Sequence, residues 1–259
     1  KSLAVTTRGP DGAGGRGEEE EVLSPDAVVF AVGVKAMQGI VRASPHLRAC
    51  GDFSAFDNLT STDVMAVRLW FDRKIPFARP SNVFAFGDGV GGTFFDLNSL
   101  QAEYGGEEGS VVEVDFYHAG ALLPLSDEAV VEAAHRTYLE GCVPDFRAAR
   151  VTDFSVLRFG GAVTEFAPGS HAHMPGTATS VGGLFMAGDW VRQGPGAHGA
   201  RGLSQEKAYV TGLLAANEAA KGRGVPVASE PLPVEADEEH IRAAKDALEQ
   251  LRALPFLDL

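Results

Sequence analysis

The amino-acid sequence predicts an α/β fold, and three patterns carry that prediction. An uninterrupted apolar stretch from Ala27 to Val32 indicates a strand covered on both faces. Two further stretches, 61–72 and 109–119, alternate apolar and polar residues as half-buried strands do. Late in the chain, residues 183–220 run from an apolar strand through a glycine-rich loop into a helix. That succession is typical of a ligand-binding edge in α/β proteins.

Composition and charge exclude several classes of partner. The formal net charge is -13 and no basic stripe offsets it, so we expect no nucleic-acid partner. Cys50 and Cys142 have neither disulfide-framework nor metal-ligand spacing, which indicates two free thiols in a reducing compartment. The longest apolar run, 27–34, is far shorter than the ~20 residues of a membrane-spanning helix. At 259 residues, the chain can form one large domain or two modest ones.

The start of the chain contains a motif that imitates a dinucleotide fingerprint. Residues 12–17, GAGGRG, match the letters of GxGxxG. The fingerprint requires a helix next, whereas here glutamates and a second strand follow, so we predict a hairpin insertion. The glutamates, Glu18–Glu21, are predicted to be a solvated loop. The chain opens at Lys1 inside the strand-like SLAVTT, which predicts that it continues a structure begun upstream.

The middle of the chain is predicted to form a mixed or antiparallel sheet. Besides the two alternating strands, PSNVFAFGD at 80–88 and GGTFFDLNSL at 91–100 are strand-like, and 149–168 predict a further pair of strands. A helix is predicted at 126–142, with Ser126 as its N-cap and Gly141 as its stop. The residues expected on the buried face of the alternating strands are Met65, Val67, Leu69, Phe71, Val112, Val114 and Phe116.

The end of the chain separates into a linker and a helix. Residues 222–234 are rich in Pro and Gly and are predicted to be an extended linker. The helix that follows, within 235–259, carries one apolar stripe of Ile241, Ala244, Leu248 and Leu251. Because an isolated helix of this length is marginal in water, we expect the stripe to dock. Docking on its own domain is favoured over docking on a protein partner, which stays the alternative.

The segment 183–220 has the chemistry of a ligand site. Asp189 follows the apolar strand, where open α/β sheets bind ligands, and can accept hydrogen bonds from sugar-like hydroxyls. The helix SQEKAYVTGLLAAN offers free N–H groups to an electron-rich carbonyl. Its small-residue face for close packing consists of Thr211, Gly212, Ala215 and Ala216. A carboxylate that accepts hydrogen bonds from a polyol chain, beside N–H groups that donate to a ring carbonyl, is what a flavin requires of its binding site. The alternative is a glycine-rich turn in which the aspartate has no binding role.

The same segment carries a family resemblance. The pattern LFMAGDW…SQEKAYVTGLLAAN resembles the carboxy-terminal flavin segment of the FAD-dependent amine oxidase and phytoene desaturase-like superfamily. DAVVFAVG, at 26–33, resembles the strand that closes the FAD domain in that family. MAVRLWFDRK, GTFFDLN, GSVVEVDFYHA and VTEFAPGS are similar to the substrate domain of its plastid and cyanobacterial carotene desaturase-like branch. The resemblance spans residues 22–220.

This resemblance implies a partial two-domain FAD-oxidoreductase fold. A discontinuous Rossmann-like FAD domain would be joined to a mixed-sheet substrate domain. The N-terminal GxGxxG half of the family, with its ADP-binding glycines, has no counterpart in this sequence. The implied division is 1–40 for part of the FAD domain, 41–179 for the substrate domain, 180–221 for the carboxy-terminal FAD segment, 222–234 for the linker and 235–259 for the final helix.

The resemblance also implies roles for individual residues toward FAD. Asp189 would bind the ribityl hydroxyls, Gly188 would let the flavin lie close, and the N–H of Gln205 would face the flavin O2 and N1 edge. The other implied cofactor-binding residues are Ala31, Val32 and Gly33 near the phosphate end, and Trp190, Ser204 and Glu206. For Trp190, packing against the turn is the alternative to lining the pocket. No catalytic residue is implied.

The implied activity is FAD-dependent oxidoreduction in a chloroplast. The substrate would be an apolar isoprenoid or carotenoid-like small molecule, desaturated or isomerised by hydride transfer to the flavin. Amine oxidases of the superfamily place an aromatic residue where this chain has Ser204, so amine oxidation is a less favoured alternative. A non-catalytic scaffold subunit is another, and a peripheral position on a membrane is left open as a route for the substrate. His171 and His173 lack a third ligand at suitable spacing, so no metal is expected.

Overall fold

The structure is a computed structural model that describes residues 3–8, 18–87, 89–193, 204–227, 229–232 and 236–252. Nine strands are described: β1 Leu3–Arg8, β2 Glu18–Leu23, β3 Val28–Phe30, β4 Thr60–Phe71, β5 Ser81–Ala85, β6 Gly91–Asp96, β7 Val111–Tyr117, β8 Val151–Glu165 and β9 Leu184–Met186. The α-helices among these residues are α1 Val34–Ala43, α2 Pro45–Arg48, α3 Gly51–Ser54, α4 Leu97–Leu100, α5 Asp127–Glu132, α6 Glu140–Cys142, α7 Gln205–Lys221 and α8 Glu239–Arg252.

The first two strands form the predicted hairpin. β1 and β2 pair antiparallel, with Leu3 opposite Leu23 and Arg8 opposite Glu18. The GAGGRG motif that joins them lies outside the described residues. The prediction that Glu18–Glu21 form a loop is wrong, because these residues belong to β2. A run of like charges disfavours a strand that is buried on both faces. In a hairpin, however, the two strands satisfy each other's backbone hydrogen bonds and one face can stay in water, so glutamates are tolerated.

The largest sheet has five antiparallel strands in the order β5-β6-β7-β4-β8. The seven residues predicted for its buried face all lie there, each at most 3% exposed. The predicted helix covers this face as α5, a π-helical stretch from Ala133 to Leu139, and α6. The Ser126 hydroxyl accepts a hydrogen bond from the Ala129 N–H at 3.3 Å, and the helix ends at Cys142, one residue beyond the predicted stop.

The prediction of two strands within 149–168 is wrong. β8 is one strand of 15 residues that pairs with β4 along its length. Gly160 and Gly161 lie in β8 beside a register shift between Thr62 and Val64 of β4. Gly161 has a φ of +63° and donates its N–H to the Asp63 carboxylate at 2.7 Å. A left-handed glycine thus bends the strand without reversing it.

The remaining strands form a small parallel sheet. β3 pairs with β9, and β3 has only three residues, of which Val29 is 42% exposed. The prediction of a strand covered on both faces from Ala27 to Val32 is therefore wrong. The chain instead enters α1 at Val34, and neither α1, α2 nor α3 was predicted. Residues of α1, α3 and the turn after α3 form a second core with the motif region. Met37, Phe53, Phe56, Met186 and Trp190 are each at most 1% exposed.

The end of the described chain has two helices in different environments. α7 begins at the predicted place and buries Lys207, Thr211 and Ala215, whereas Ala216, predicted for its packing face, is exposed. α8 also forms as predicted, but every one of its side chains that the structure describes is exposed, including Leu248 at 42%. The expectation that this helix docks on its own domain is therefore wrong for the described residues. None of the described helices is long and apolar enough to cross a membrane.

Candidate functional site

Two parallel strand ends create the candidate site. The register of β3 and β9 places Phe30 opposite Met186, and the Ala187 N–H donates to the Phe30 carbonyl at 2.9 Å. Residues 31–33 and 187–189 therefore leave the sheet at the same edge, the carboxyl ends of both strands. This is where open α/β sheets bind ligands.

The turn after β9 depends on a glycine and a threonine. Gly188 has a φ of +137°, in the region that L side chains rarely adopt, and an added Cβ would lie 3.2 Å from the Trp190 indole. The Gly188 N–H donates to the Thr211 hydroxyl oxygen at 2.9 Å, and that oxygen also lies 2.9 Å from the Gly188 carbonyl. Thr211 is fully buried in α7. The hydroxyl thus fixes the turn against the helix.

Trp190 supports this turn from inside the core. Its side chain is 0% exposed, and its Nε1–H donates to the Val32 carbonyl at 2.9 Å. Its ring meets Phe56 edge-on at 5.2 Å between centroids. The packing alternative for Trp190 therefore describes its side chain, which joins the two strand ends rather than lining an open surface.

Asp189 points an acceptor at the same edge. Its side chain is partly buried, and its Oδ1 accepts a hydrogen bond from the Thr164 hydroxyl at 3.4 Å. Thr164 is near the end of β8 and is 6% exposed, so the large sheet reaches the site at this contact. A carboxylate has about four lone-pair sites, so Asp189 keeps capacity for further donors.

The start of α7 supplies donors. Ser204 is the N-cap, and its hydroxyl accepts from the Lys207 N–H at 3.3 Å. The N–H groups of Gln205 and Glu206 have no acceptor among the described residues, and both side chains are exposed. These amides lie at the positive end of the helix dipole. A second helix N-terminus follows Gly33, the N-cap of α1, which provides no side-chain cap.

The structure brings most of the predicted site residues together. Val32, Gly188 and Trp190 are joined through the contacts above, Asp189 follows in the same turn, and Thr211 ties α7 to them. Ala31 and Gly33 continue from β3 with exposed backbone positions. The glycine-rich loop between Asp189 and Ser204 lies outside the described residues from 194 to 203.

Sequence reasoning missed three residues of this region. Thr164 reaches Asp189 from β8, which no local motif could indicate. The sequence indicates Thr211 only as one of the small residues of α7, although its spacing of four from Lys207 places both on one side of the helix. Lys207 is 4% exposed, and its Nζ lies 5.2 Å from the centre of the Phe166 ring. A lysine in the first turn of a helix gives no sequence signal of burial.

The donors and acceptors present fit a flavin. Asp189 can accept from ribityl hydroxyls, and the free amides of Gln205 and Glu206 can donate to a ring carbonyl that gains negative charge on reduction. The absence of a Cβ at Gly188 leaves room for a close approach of the ring.

Comparison with known proteins places this geometry in context. A family model described as flavin containing amine oxidoreductase matches residues 2–220. A 15-cis-phytoene desaturase of Synechococcus elongatus is 26% identical over 195 residues, which cover 70% of this chain and 38% of that protein. A carotenoid phi-ring synthase of Chlorobaculum tepidum is 29% identical over 225 residues, which cover 83% of this chain and 32% of that protein. The chain thus spans about a third of the curated relatives it matches.

A solved structure from Exiguobacterium sp., described as a candidate protoporphyrinogen oxidase, supports the fold. It superposes with a TM-score of 0.52 at 14% identity, covering 80% of this chain and 42% of that one. These comparisons confirm the predicted family resemblance, the partial α/β oxidoreductase fold and a flavin as the class of cofactor.

Proposed function

This chain belongs to the flavin containing amine oxidoreductase family, and from that premise we propose that it is part of an FAD-dependent oxidoreductase that acts on an apolar, carotenoid-like hydrocarbon. The observation that carries the proposal is the meeting of Asp189, the Gly188 turn and the free amides of α7 at one sheet edge. The domain boundaries derived from the sequence belong to the same proposal.

Each residue of the edge has a role toward the cofactor. Asp189, steadied by Thr164, would accept hydrogen bonds from the ribityl hydroxyls. The N–H groups of Gln205 and Glu206 would donate to the pyrimidine carbonyl of the ring. When bound, FAD supplies the hydride acceptor, and the protein supplies position and electrostatics.

An apolar substrate is supported by the open face of the large sheet. The register aligns Tyr117, Val64 and Phe159 across three strands, and Leu157 lies two residues before Phe159. Tyr117 is 45%, Phe159 43% and Leu157 54% exposed. Phe159 precedes Thr164 in β8, the strand whose end contacts Asp189. A hydrocarbon lying on this face would leave water as it approaches the cofactor edge.

The relatives narrow the proposed substrate. Their names refer to phytoene desaturation and to carotenoid ring synthesis, so we infer a linear or ring-forming carotenoid precursor for this protein. Such hydrocarbons reside in membranes, which favours peripheral access from a membrane surface. A chloroplast location is part of this proposal, since several relatives are described as chloroplastic.

Amine oxidation is the competing chemistry, and Ser204 argues against it. The Ser204 hydroxyl caps α7, and its small side chain provides no aromatic wall beside the Gln205 N–H. An amine substrate would need such a wall, or an anionic partner, to hold its cationic form.

The proposal is tested with the complete protein, loaded with FAD under anaerobic conditions. Phytoene in liposomes should bleach the visible absorbance of the oxidised flavin, and empty liposomes should not. Primary, secondary and polyamines should leave the flavin oxidised. Rapid bleaching by an amine would instead assign amine oxidation, and a protein that binds FAD but is reduced by neither class would indicate a non-catalytic scaffold.

A further inference from the structure

Lys207 is a lysine at the proposed cofactor edge whose side chain is largely buried. It is the third residue of α7 and is 4% exposed. Its Nζ lies 5.2 Å from the centre of the Phe166 ring, and among the described residues it forms no hydrogen bond or ion pair. Lysine is almost never buried to this extent without a partner.

The ammonium of Lys207 is partly dehydrated, and its surroundings offset that cost only in part. Loss of hydration lowers the pKa of Lys207 below its ordinary value, and the negative charge of nearby Asp189 opposes that shift. The Phe166 ring also attracts the ammonium through a cation–π contact.

We propose that the Lys207 ammonium is a cofactor-binding group that stabilises the negative charge of the reduced flavin ring. This inference rests on the proposed function. Lys207 shares the first turn of α7 with the free amides of Gln205 and Glu206, so its charge adds to the donor set at that helix end.

The charges at the N-terminus of α7 favour the flavin ring of FAD over its phosphate groups as the part that binds there. Asp189 lies within electrostatic range of Lys207 and would repel a phosphate while accepting from hydroxyls. A neutral ring that takes up a hydride, two electrons with one proton, gains one net negative charge. The ammonium of Lys207 offsets that single charge, which arises only on reduction.

Removal of the Lys207 ammonium should affect the melting temperature and the midpoint potential of the flavin differently. Lys207→Met keeps an unbranched side chain, one heavy atom shorter, and removes the ammonium. Without FAD, we expect this variant to melt at the same or a higher temperature than the parent, because a partly dehydrated charge is gone. With FAD, we expect reduced flavin to bind about tenfold more weakly relative to oxidised flavin, which lowers the two-electron midpoint potential by about 30 mV.

Two matched variants complete the test. Lys207→Arg retains a cation and should keep a midpoint potential close to that of the parent. Lys221→Met removes an exposed lysine at the other end of the same helix and should change neither quantity. If Lys207→Met fails to fold, Lys207→Gln gives the same comparison.

The outcomes distinguish this inference from the proposed function. A parent protein that binds no flavin would overturn the proposed function and the inference with it. A parent that binds FAD, together with a Lys207→Met variant of unchanged potential, would overturn the inference alone. A Lys207→Met variant that loses thermal stability at unchanged potential would assign Lys207 a purely structural role.

Discussion

Asp189 shows how one side chain depends on distant parts of the chain. Its backbone position follows from the Gly188 turn, and its carboxylate contacts a threonine of β8. We predict that Asp189→Ala weakens FAD binding by the loss of one or two hydrogen bonds to a charged group, about 1.5–3 kcal/mol each. Equilibrium titration of the apoprotein with FAD measures this change.

Thr164→Val serves as the graded control for that experiment. It removes the hydroxyl that contacts Asp189 while keeping the carboxylate and the volume of the side chain. We expect a smaller loss of FAD affinity than for Asp189→Ala. Equal affinity of the Asp189→Ala variant and the parent would remove Asp189 from the cofactor site.

Asp115 is a half-buried carboxyl on the open face of the large sheet, opposite Ala66 of β4. Loss of hydration, followed by the charge of Glu113, raises the pKa of Asp115 from 3.8 to about 6, against the opposing charge of Arg68. Because the folded-state pKa is raised, the associated stability is present below pH 3.8 and is lost as pH rises through about 6. We predict that Asp115→Asn raises the melting temperature above that pH, and that the melting temperature of the variant falls less steeply with rising pH than that of the parent.

The measurement is the difference in melting temperature between parent and variant across this pH range. Other carboxyl groups titrate in both proteins and cancel in the difference. A constant difference between Asp115→Asn and the parent across this pH range would contradict the proposed environment of Asp115.

At the scale of elements, the sequence predicts what one segment determines by itself. Alternating strands such as β4 and β7 are predicted correctly, because their period reflects one buried and one open face. β8 is different: its two glycines are typical of a turn, yet pairing with β4 carries the strand through them. The helix α1 was missed because VGVKAMQG continues an apolar run whose helical face is completed by distant core residues.

The residues just before β7 lie in close backbone contact with the end of β4. A Cβ on Gly109 would lie 1.7 Å from the Phe71 carbonyl oxygen, where Ser110 and Phe71 are joined by a backbone hydrogen bond. We predict that Gly109→Ala destabilises the protein by at least about 2 kcal/mol, since the obstacle is backbone and cannot rotate away. Urea unfolding measures the change.

Gly106→Ala is the matched control in the same connection. A Cβ there meets no atom within 4 Å, and we expect a change within about 0.5 kcal/mol. If both variants unfold at the same urea concentration, the close approach of Gly109 to β4 does not limit stability.

At the scale of the whole molecule, the candidate site is only partly predictable. The strand–loop–helix pattern located Asp189, Gly188 and the start of α7, because a single segment contains all of them. The contribution of Thr164, and the burial of Lys207 beside Phe166, require the packing of β8 and residues 166–174 against that segment. Tertiary contacts of this kind leave no periodic trace in the sequence.

The final helix poses the remaining question of assembly. Ile241 and Leu248 are seven residues apart, as are Ala244 and Leu251, and this narrow stripe is exposed throughout α8. Because every described side chain of α8 is exposed, we expect removal of the helix to cost the rest of the described residues little apolar burial. Truncation after residue 232 keeps the hydrogen bond from Asn217 to the Ser229 carbonyl.

We predict that truncation after residue 232 leaves the melting temperature and the FAD spectrum unchanged. Differential scanning calorimetry measures the first, and gel filtration of parent and truncated proteins over a range of concentrations measures self-association. A loss of 1 kcal/mol would lower the melting temperature of a chain this size by about 2–4 °C, which calorimetry resolves. Such a decrease in a protein that is monomeric before truncation would show that α8 docks on its own domain after all. A decrease that accompanies loss of a dimer would show instead that the stripe packs against a second copy, as the seven-residue spacing favours.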